Sequence, residues 1–346
     1  MRLIRHFEGV PADLKGAVVA IGNFDGVHLG HQAVLAQARE EAARRKALLG
    51  VLTFEPHPRS FLKPSDPVLR LTPFRIKMRH LQDLGVDVAF VLPFDREMSQ
   101  RSAKSFVEEV LVRGLGVAHV VVGSDFCFGR NRGGNATVLA EAGKRLGFGV
   151  TALKLTGEPG GEDEGSVYSS TLVRDRLLSG DPVAAALTLG RPWEIEGRVE
   201  HGDQRGRTIG FPTANLHLGE FMQPKLGVYA VKAAVDSGHA LQWIDGIANL
   251  GRRPTVGGED LRFEVHLFDF NGDLYGKHLR VALLGFIRPE MKFSGLDQLK
   301  AQIAADCDTA RRMLAEYRGP ALGTRPAAHL PPPVEEAQPA PSRGTV

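Results

Sequence analysis

The feature that most constrains this fold is a change of rhythm near residue 188. Before it, short apolar runs alternate with helix-like runs; after it, apolar runs follow one another directly. AVVAIGNF (17–24), ALLGVLTF (47–54), VDVAFVLPF (86–94) and HVVVG (119–123) read as buried strands. HQAVLAQAREEAARRKA (31–47) and SAKSFVEEVLVRGLG (102–116) carry helical spacing, the second with a glycine stop. Such alternation predicts an open, Rossmann-like parallel α/β sheet, with ligands at the carboxyl ends of its strands. LVRDRLLSGDPVAAALTLG (172–190) predicts two short helices broken at Gly180-Asp181-Pro182. From Trp193 onward EIEGRVEHG, GVYAVKAAV, HALQWIDGIANL, LRFEVHLFDF and KHLRVALLGF read as strands, with Asn271-Gly272 as a turn signal. They predict a small antiparallel β-barrel closed by a helix over 296–317. Seven of the 21 prolines fall in the last 28 residues, so a disordered Pro/Ala-rich tail is expected there. The expected domains are 1–187, 188–318 and the tail 319–346, with no internal repeat.

Composition removes several function classes. Of 346 residues, 43% are hydrophobic and 24% charged, enough apolar mass for packed cores. No apolar run approaches the ~20 residues that span a bilayer, so no membrane is expected. The N-terminus has no secretory pattern, and two cysteines are too few for a disulfide framework; both point to a reducing cytoplasm. A net charge of +3, no basic run interleaved with aromatics, and only 2 Trp and 4 Tyr argue against nucleic acid.

Forty glycines are unusual, and their positions carry the functional reading. Gly22-Asn23-Phe24-Asp25-Gly26-Val27-His28-Leu29-Gly30-His31 follows a strand and opens a helix. A helix N-terminus offers free N–H groups and partial positive charge, and His28 and His31 can face one phosphate. A plain glycine turn with two exposed histidines fits an isolated His-x-x-His; the strand–turn–helix context favours the phosphate reading. Ser169-Ser170-Thr171-Leu172-Val173-Arg174 places hydroxyls before a second helix with Arg174 one turn on. Alone it is a good N-cap; with the first motif it makes an anion clamp.

These residues resemble the signature of the HxGH nucleotidyltransferases. With FEPHP (54–58), VVGSDFCFGRNRGG (121–134) and SSTLVR (169–174) they are similar, more narrowly, to the adenylyltransferase module of bacterial bifunctional riboflavin kinase/FAD synthetases. The resemblance implies transfer of AMP from ATP to FMN with release of pyrophosphate. It makes His28 and His31 catalytic phosphate-contacting residues, and Gly22, Asn23, Phe24, Asp25, Gly30, Ser170, Thr171 and Arg174 the ATP site. Phe54, Pro56, His57, Asp125 and Phe128 match segments of the flavin side. Cys127 and Asn135 depart from the family's common residues on that loop.

A second constellation runs from Gly197 to Asn215. Gly202, Arg207 and Gly210 suit a phosphate, and Thr213 and Asn215, two apart in an extended segment, point the same way. Their oxygens suit Mg²⁺. A glycine-rich hairpin with solvated arginines is an equal alternative on this segment alone. In RFEVHLFDF, Phe263, Val265 and Leu267 alternate with Glu264 and His266, so Glu264 faces away from the apolar row. It is either a solvated carboxylate or a general base. With GVYAV (227–231), GIANLGRRPTV (246–256) and IRPEMKF (287–293), this half resembles the riboflavin kinase module of the same family. The resemblance implies phosphorylation of riboflavin by Mg-ATP, with Glu264 the base, Thr213 and Asn215 on metal and phosphate, and Arg288 and Glu290 on the flavin side.

The implied enzyme makes FMN and then FAD from riboflavin, with ATP and Mg²⁺, as a monomer or weak homo-oligomer. Another HxGH transferase, cytidylyl- or pantetheine-phosphate adenylyltransferase, would leave PTAN and EVH unexplained. A flavin or nucleotide sensor with decayed chemistry would not keep His28, His31, Thr213, Asn215 and Glu264 together.

Overall fold

The computed structural model describes residues 1–154, 157, 167–201, 206, 209–236, 241–255 and 258–323, without the side chains of 253–255 and 258–260. Its first half contains β1 (Arg2–Ile4), β2 (Val18–Ile21), α1 (Leu29–Arg45), β3 (Leu49–Glu55), α2 (Pro58–Leu62), α3 (Phe74–Asp83) and β4 (Val88–Pro93). There follow α4 (Arg96–Gln100), α5 (Ala103–Ser105), β5 (His119–Gly123), β6 (Cys127–Phe128), β7 (Gly134–Asn135), α6 (Ala136–Leu146) and β8 (Gly149–Leu153). The predicted helix over 102–116 forms, but Phe106–Leu115 winds at the wider π pitch before Gly116 stops it at φ 60°.

The six longer-range strands form one sheet in the order β1-β4-β3-β2-β5-β8, and every pairing is parallel. All four residues of β2 are buried, which is why they read as a continuous apolar run. From β2 the chain builds β3 and β4 on one side and β5 and β8 on the other. That reversal opens a crevice beyond the carboxyl end of β2, where His28 and His31 stand.

The second half contains α7 (Ser170–Ser179), α8 (Pro182–Leu189), β9 (Trp193–Arg198), β10 (Ala214–Leu216), β11 (Gly227–Val235), β12 (Ile244–Thr255), β13 (Gly258–Leu267), β14 (His278–Arg288) and α9 (Leu296–Glu316). Its strands form an antiparallel sheet in the order β10-β13-β12-β11-β14-β9. The expected barrel is a curled sheet whose two edge strands meet at one bridge, where Glu200 N–H donates to Asn215 O at 3.0 Å. β10 is only three residues long, too short for a full ladder with β9. Phe263, Val265 and Leu267 join Tyr229, Val231 and Leu283 in the enclosed core. The opposite face carries Val228, Ala230, Ile247 and Phe268 under Cys307, Ala310 and Leu314 of α9.

Packing does not stop at residue 188. Val173, Leu177, Ala185 and Leu189 share one core with Trp193, Tyr229 and Phe263. Arg70 bridges Phe221 as an extra strand pair, and Trp193 Nε1–H donates to Leu71 O at 2.8 Å. Ion pairs from Arg79 to Glu196 (2.8 Å) and Asp236 (4.0 Å) and from Arg75 to Asp236 (3.0 Å) join α3 to the antiparallel half. Of the expected tail, 324–346 lies outside the described residues; within 319–323, Leu322 packs beside Tyr317, whose hydroxyl donates to Pro320 O at 3.2 Å.

Candidate functional site

Two sites emerge, one in each sheet. The first is the turn from Gly22 to His28. Its backbone enters the left-handed region at Phe24 (φ 50°), Gly26 (φ 85°) and Val27 (φ 44°). His28 caps α1, its Nδ1 accepting from His31 N–H at 3.4 Å. The proton of a neutral His28 therefore sits on Nε2, free to donate. The two imidazoles stack at 3.7 Å between centroids, and His31 also meets Phe24 at 5.1 Å. Gly30 is required by crowding: a Cβ there would lie 3.0 Å from Tyr168 O and 3.1 Å from His28 Nδ1.

Burial lowers the His28 pKa to about 3 against the pull of Asp25, with Arg191 and Arg174 pushing further down. His31 is held well below its usual range by burial, then by His28, Lys77 and Arg191. Both rings are neutral at physiological pH.

Asp25 turns inward. It is 2% exposed and accepts from Leu71 N–H (3.3 Å) and Thr72 N–H (3.0 Å), and it pairs with Arg174. Ser170 Oγ donates to Asp25 O at 2.8 Å, and Arg174 Nη1 donates to Ser170 O at 3.2 Å. α7 is thus tied to the turn, with Ser169, accepting from Leu172 N–H, as its actual N-cap. Thr171 is exposed in the first turn of α7. The Asn23 backbone oxygen receives Thr53 Oγ1 and Lys77 Nζ, both at 3.3 Å. Sequence reasoning missed Lys77, 1% exposed, its pKa lowered by burial. It also missed Arg70, which donates to Glu55 at 2.6 Å. No spacing in the chain signals that α3 would deliver a lysine here.

Of the residues expected on the flavin side, Phe54 and Phe128 both pack on Phe106, at 6.3 and 5.5 Å, so the structure brings these two segments together. His57 caps α2, accepting from Arg59 N–H at 3.2 Å. Burial, then Arg70, lowers its pKa to about 4, and Asp25, Lys77 and Arg174 also act on it. Its field is therefore shared with the histidine pair. Pro56 and Asp125 are exposed beside these segments. Cys127 Sγ contacts Asp125 O at 3.5 Å, and Asn135 caps α6 by accepting from Val138 N–H at 3.0 Å.

The second site lies on the α9-covered face of the antiparallel sheet. Asn215 stands opposite Glu264, and Glu264 opposite Asn249, so three polar side chains form one row across β10, β13 and β12. Asn215 Oδ1 is buried with no hydrogen-bond partner among the described residues. His266, two residues from Glu264 on the same face, donates from Nδ1 to Pro212 O at 2.8 Å and so fixes the segment carrying Thr213. Thr213 lies between two cavities. One, about 280 Å³, is lined by Phe211, Asn249, Glu264, Arg288, Glu290 and Asp306. The other, about 380 Å³, is lined by Val199, Pro212, Asn271, Asp273 and Tyr275.

Arg288 is held by Asp306 of α9 through Nε at 3.0 Å and Nη2 at 2.7 Å, an anchor the sequence did not announce. Glu290 lies over Gly251, where a Cβ would come 2.1 Å from its Oε1. Gly210 turns at φ 91°, while Gly202 and Arg207 lie outside the described residues.

Known proteins match both halves. The FAD synthetase family model covers residues 10–171 and the riboflavin kinase family model residues 189–314. The bifunctional riboflavin kinase/FMN adenylyltransferase of Escherichia coli (strain K12) is 43% identical over 312 residues, 90% of this chain and 97% of that one. The protein of the same name from Haemophilus influenzae is 42% identical over 317 residues (90% and 98%), and that from Bacillus subtilis (strain 168) 37% over 308 (87% and 94%). A crystal structure named as a macrolide-efflux protein from Streptococcus pneumoniae aligns with a TM-score of 0.77 at 31% identity, over 90% of this chain and 99% of that one. Among the described residues here, no helix is long and apolar enough to cross a membrane.

Proposed function

The chain belongs to the bifunctional riboflavin kinase/FMN adenylyltransferase family, making FMN from riboflavin and FAD from FMN; from that premise we propose how its residues divide the two reactions. The domains proposed are 1–187 for adenylyl transfer and 188–318 for the kinase. The observation that carries the division is the row Asn215–Glu264–Asn249, a carboxylate between two neutral amides beside a cavity.

In the kinase reaction the riboflavin 5′-hydroxyl attacks the γ-phosphorus of ATP, and Glu264 takes its proton as ADP leaves. Arg288, immobilised by Asp306, and Glu290 border the flavin, and the cavity beyond Thr213 receives the nucleotide. Mg²⁺ fits this site, because the orphaned Asn215 Oδ1 and the Thr213 hydroxyl are hard oxygen donors next to a carboxylate. When bound there it neutralises phosphate charge.

In the adenylyl transfer the FMN phosphate attacks the α-phosphorus of ATP and pyrophosphate leaves. This nucleophile is already an anion and needs no base. His28 Nε2–H and His31 donate to the charge that develops, while Gly22 to Gly30 form the nucleotide turn. Asp25 and Ser170 hold that turn against α7, so Asp25 acts by shape. Arg174 and Thr171 supply the phosphate end, and Phe54, Pro56, His57, Asp125 and Phe128 the flavin side. The two free thiols, Cys127 and Cys307, support a reducing cytoplasm as the setting.

The test is a mixture of riboflavin, ATP and Mg²⁺ followed by flavin chromatography. His28→Ala accumulates FMN without FAD; Glu264→Gln leaves riboflavin untouched but still turns added FMN into FAD. Unchanged FAD output from His28→Ala overturns the first assignment, and FMN formation by Glu264→Gln the second.

A further inference from the structure

The turn that carries His28 is held from outside its own segment. Val27, a β-branched residue, sits at φ 44°, a conformation costing about 1–2 kcal/mol that persists only where neighbours hold it. Arg191, the second residue past the end of α8, supplies that hold. Its Nη2 donates to Gly26 O at 2.6 Å and its Nη1 to Val27 O at 3.2 Å. Gln32 Nε2 adds bonds to Val27 O and to Leu189 O, both at 2.9 Å. Arg191 Nε donates to His80 Nε2 at 3.1 Å, which locks the guanidinium plane against α3.

We propose that Arg191 and Gln32 are positioning residues for adenylyl transfer, clamping the Gly26 and Val27 carbonyls so that the His28 ring meets the reacting phosphates in one orientation. The inference rests on the reading of His28 and His31 as the adenylyl-transfer pair. Arg191 touches no substrate; it acts through two backbone carbonyls. It falls inside the span matched by the riboflavin kinase family model, so the antiparallel half completes the geometry of the parallel half's site. The half-buried guanidinium stays charged, its pKa lowered only to about 10 by desolvation.

The test uses the full chain, with FMN adenylylation and riboflavin phosphorylation measured on the same preparation. Arg191→Met and Gln32→Met are expected to lower kcat for adenylylation by about tenfold or more, because small misplacement of a reacting group costs that much. KM for ATP and FMN changes far less, and riboflavin phosphorylation stays at the wild-type rate. Arg191→Lys, which keeps the charge but loses the fork, falls between Met and wild type. Loss of both reactions in parallel, or wild-type adenylylation in both Met variants, overturns the proposal. His28→Ala serves as comparator: if it too forms FAD at the wild-type rate, the reading of the site itself has failed rather than the clamp.

Discussion

The two sites spend their carboxylates differently. At the parallel sheet, the two acids beside the histidine turn among the described residues are paired within the protein. Asp25 is bound by Leu71, Thr72 and Arg174, and Glu55 by Arg70, with Lys77 at 3.8 Å. What faces the crevice is a pair of neutral imidazoles, His28 buried and His31 half-buried. At the antiparallel sheet the acid proposed as the base, Glu264, stands between the amides of Asn215 and Asn249, on the face away from Phe263 and Val265. On the proposed division of the two reactions, the difference matches the nucleophiles. A phosphate monoester arrives already ionised and would be repelled by a free carboxylate. A hydroxyl arrives with a proton that something must accept.

The strongest way to break this contrast is to remove the one residue each site cannot share. Glu264→Gln is expected to lower riboflavin phosphorylation by about 10²–10⁴-fold, the range of general-base catalysis. His28→Ala is expected to lower FAD formation by about 10²–10³-fold, the range for one lost donor to a developing charge. Each is measured as initial rate with the other reaction as internal control. If Glu264→Gln slowed both reactions equally, the idea of one base for one hydroxyl would fall. A smaller effect is expected at Asn215, whose orphaned oxygen is read as a metal donor. Asn215→Ala should raise the Mg²⁺ concentration for half-maximal kinase rate by about tenfold, in line with single supporting groups at metal sites. A rate loss at unchanged Mg²⁺ dependence would remove the metal from that assignment.

Much of this contrast was legible in the residues, and the exceptions share a physical cause. The Phe263/Val265/Leu267 alternation placed Glu264 and His266 on one face because strand geometry leaves no other choice. The continuous apolar runs of β2 to β5 marked buried parallel strands for the same kind of reason. β1 escaped notice because its three residues are mostly exposed, and β8 because four of its five are only half-buried. Lys77, Arg191 and Asp306 escaped because a buried charge becomes intelligible only beside its partner. Those partners, Asn23 O with Glu55, the Gly26 and Val27 carbonyls, and Arg288, lie on other elements. Short motifs gave the expectation of phosphate sites, and long-range packing decided what holds the motifs still.

Acid sharpens the comparison from another side. The His28 pKa is about 3 in the folded protein and His57 about 4, against about 6.5 unfolded. Between those values and 6.5 the unfolded chain binds protons that the folded chain refuses. Stability therefore falls as pH drops through 6.5 and keeps falling toward 4 and 3. The expected outcome is a declining Tm from pH 7 to 4, with a shallower slope in His28→Asn and His57→Asn. An identical slope in both variants would mean that other groups carry the acid sensitivity.

The smallest expected effect concerns Asn135, on the loop proposed to border the flavin. Its Oδ1 accepts from Val138 N–H at 3.0 Å, satisfying an amide that the start of α6 would otherwise leave unpaired. Asparagine and aspartate serve that purpose almost equally. Asn135→Ala should cost about 1 kcal/mol of stability, read as a lower midpoint in denaturant, and Asn135→Asp should cost next to nothing. KM for FMN should hold in both, because the side chain is spent on the helix. If Asn135→Asp left stability alone yet shifted KM for FMN, the residue would belong to the ligand rather than to the cap. The parallel-sheet site would then hold a polar group in reserve for substrate, as is proposed for Glu264 in the antiparallel one.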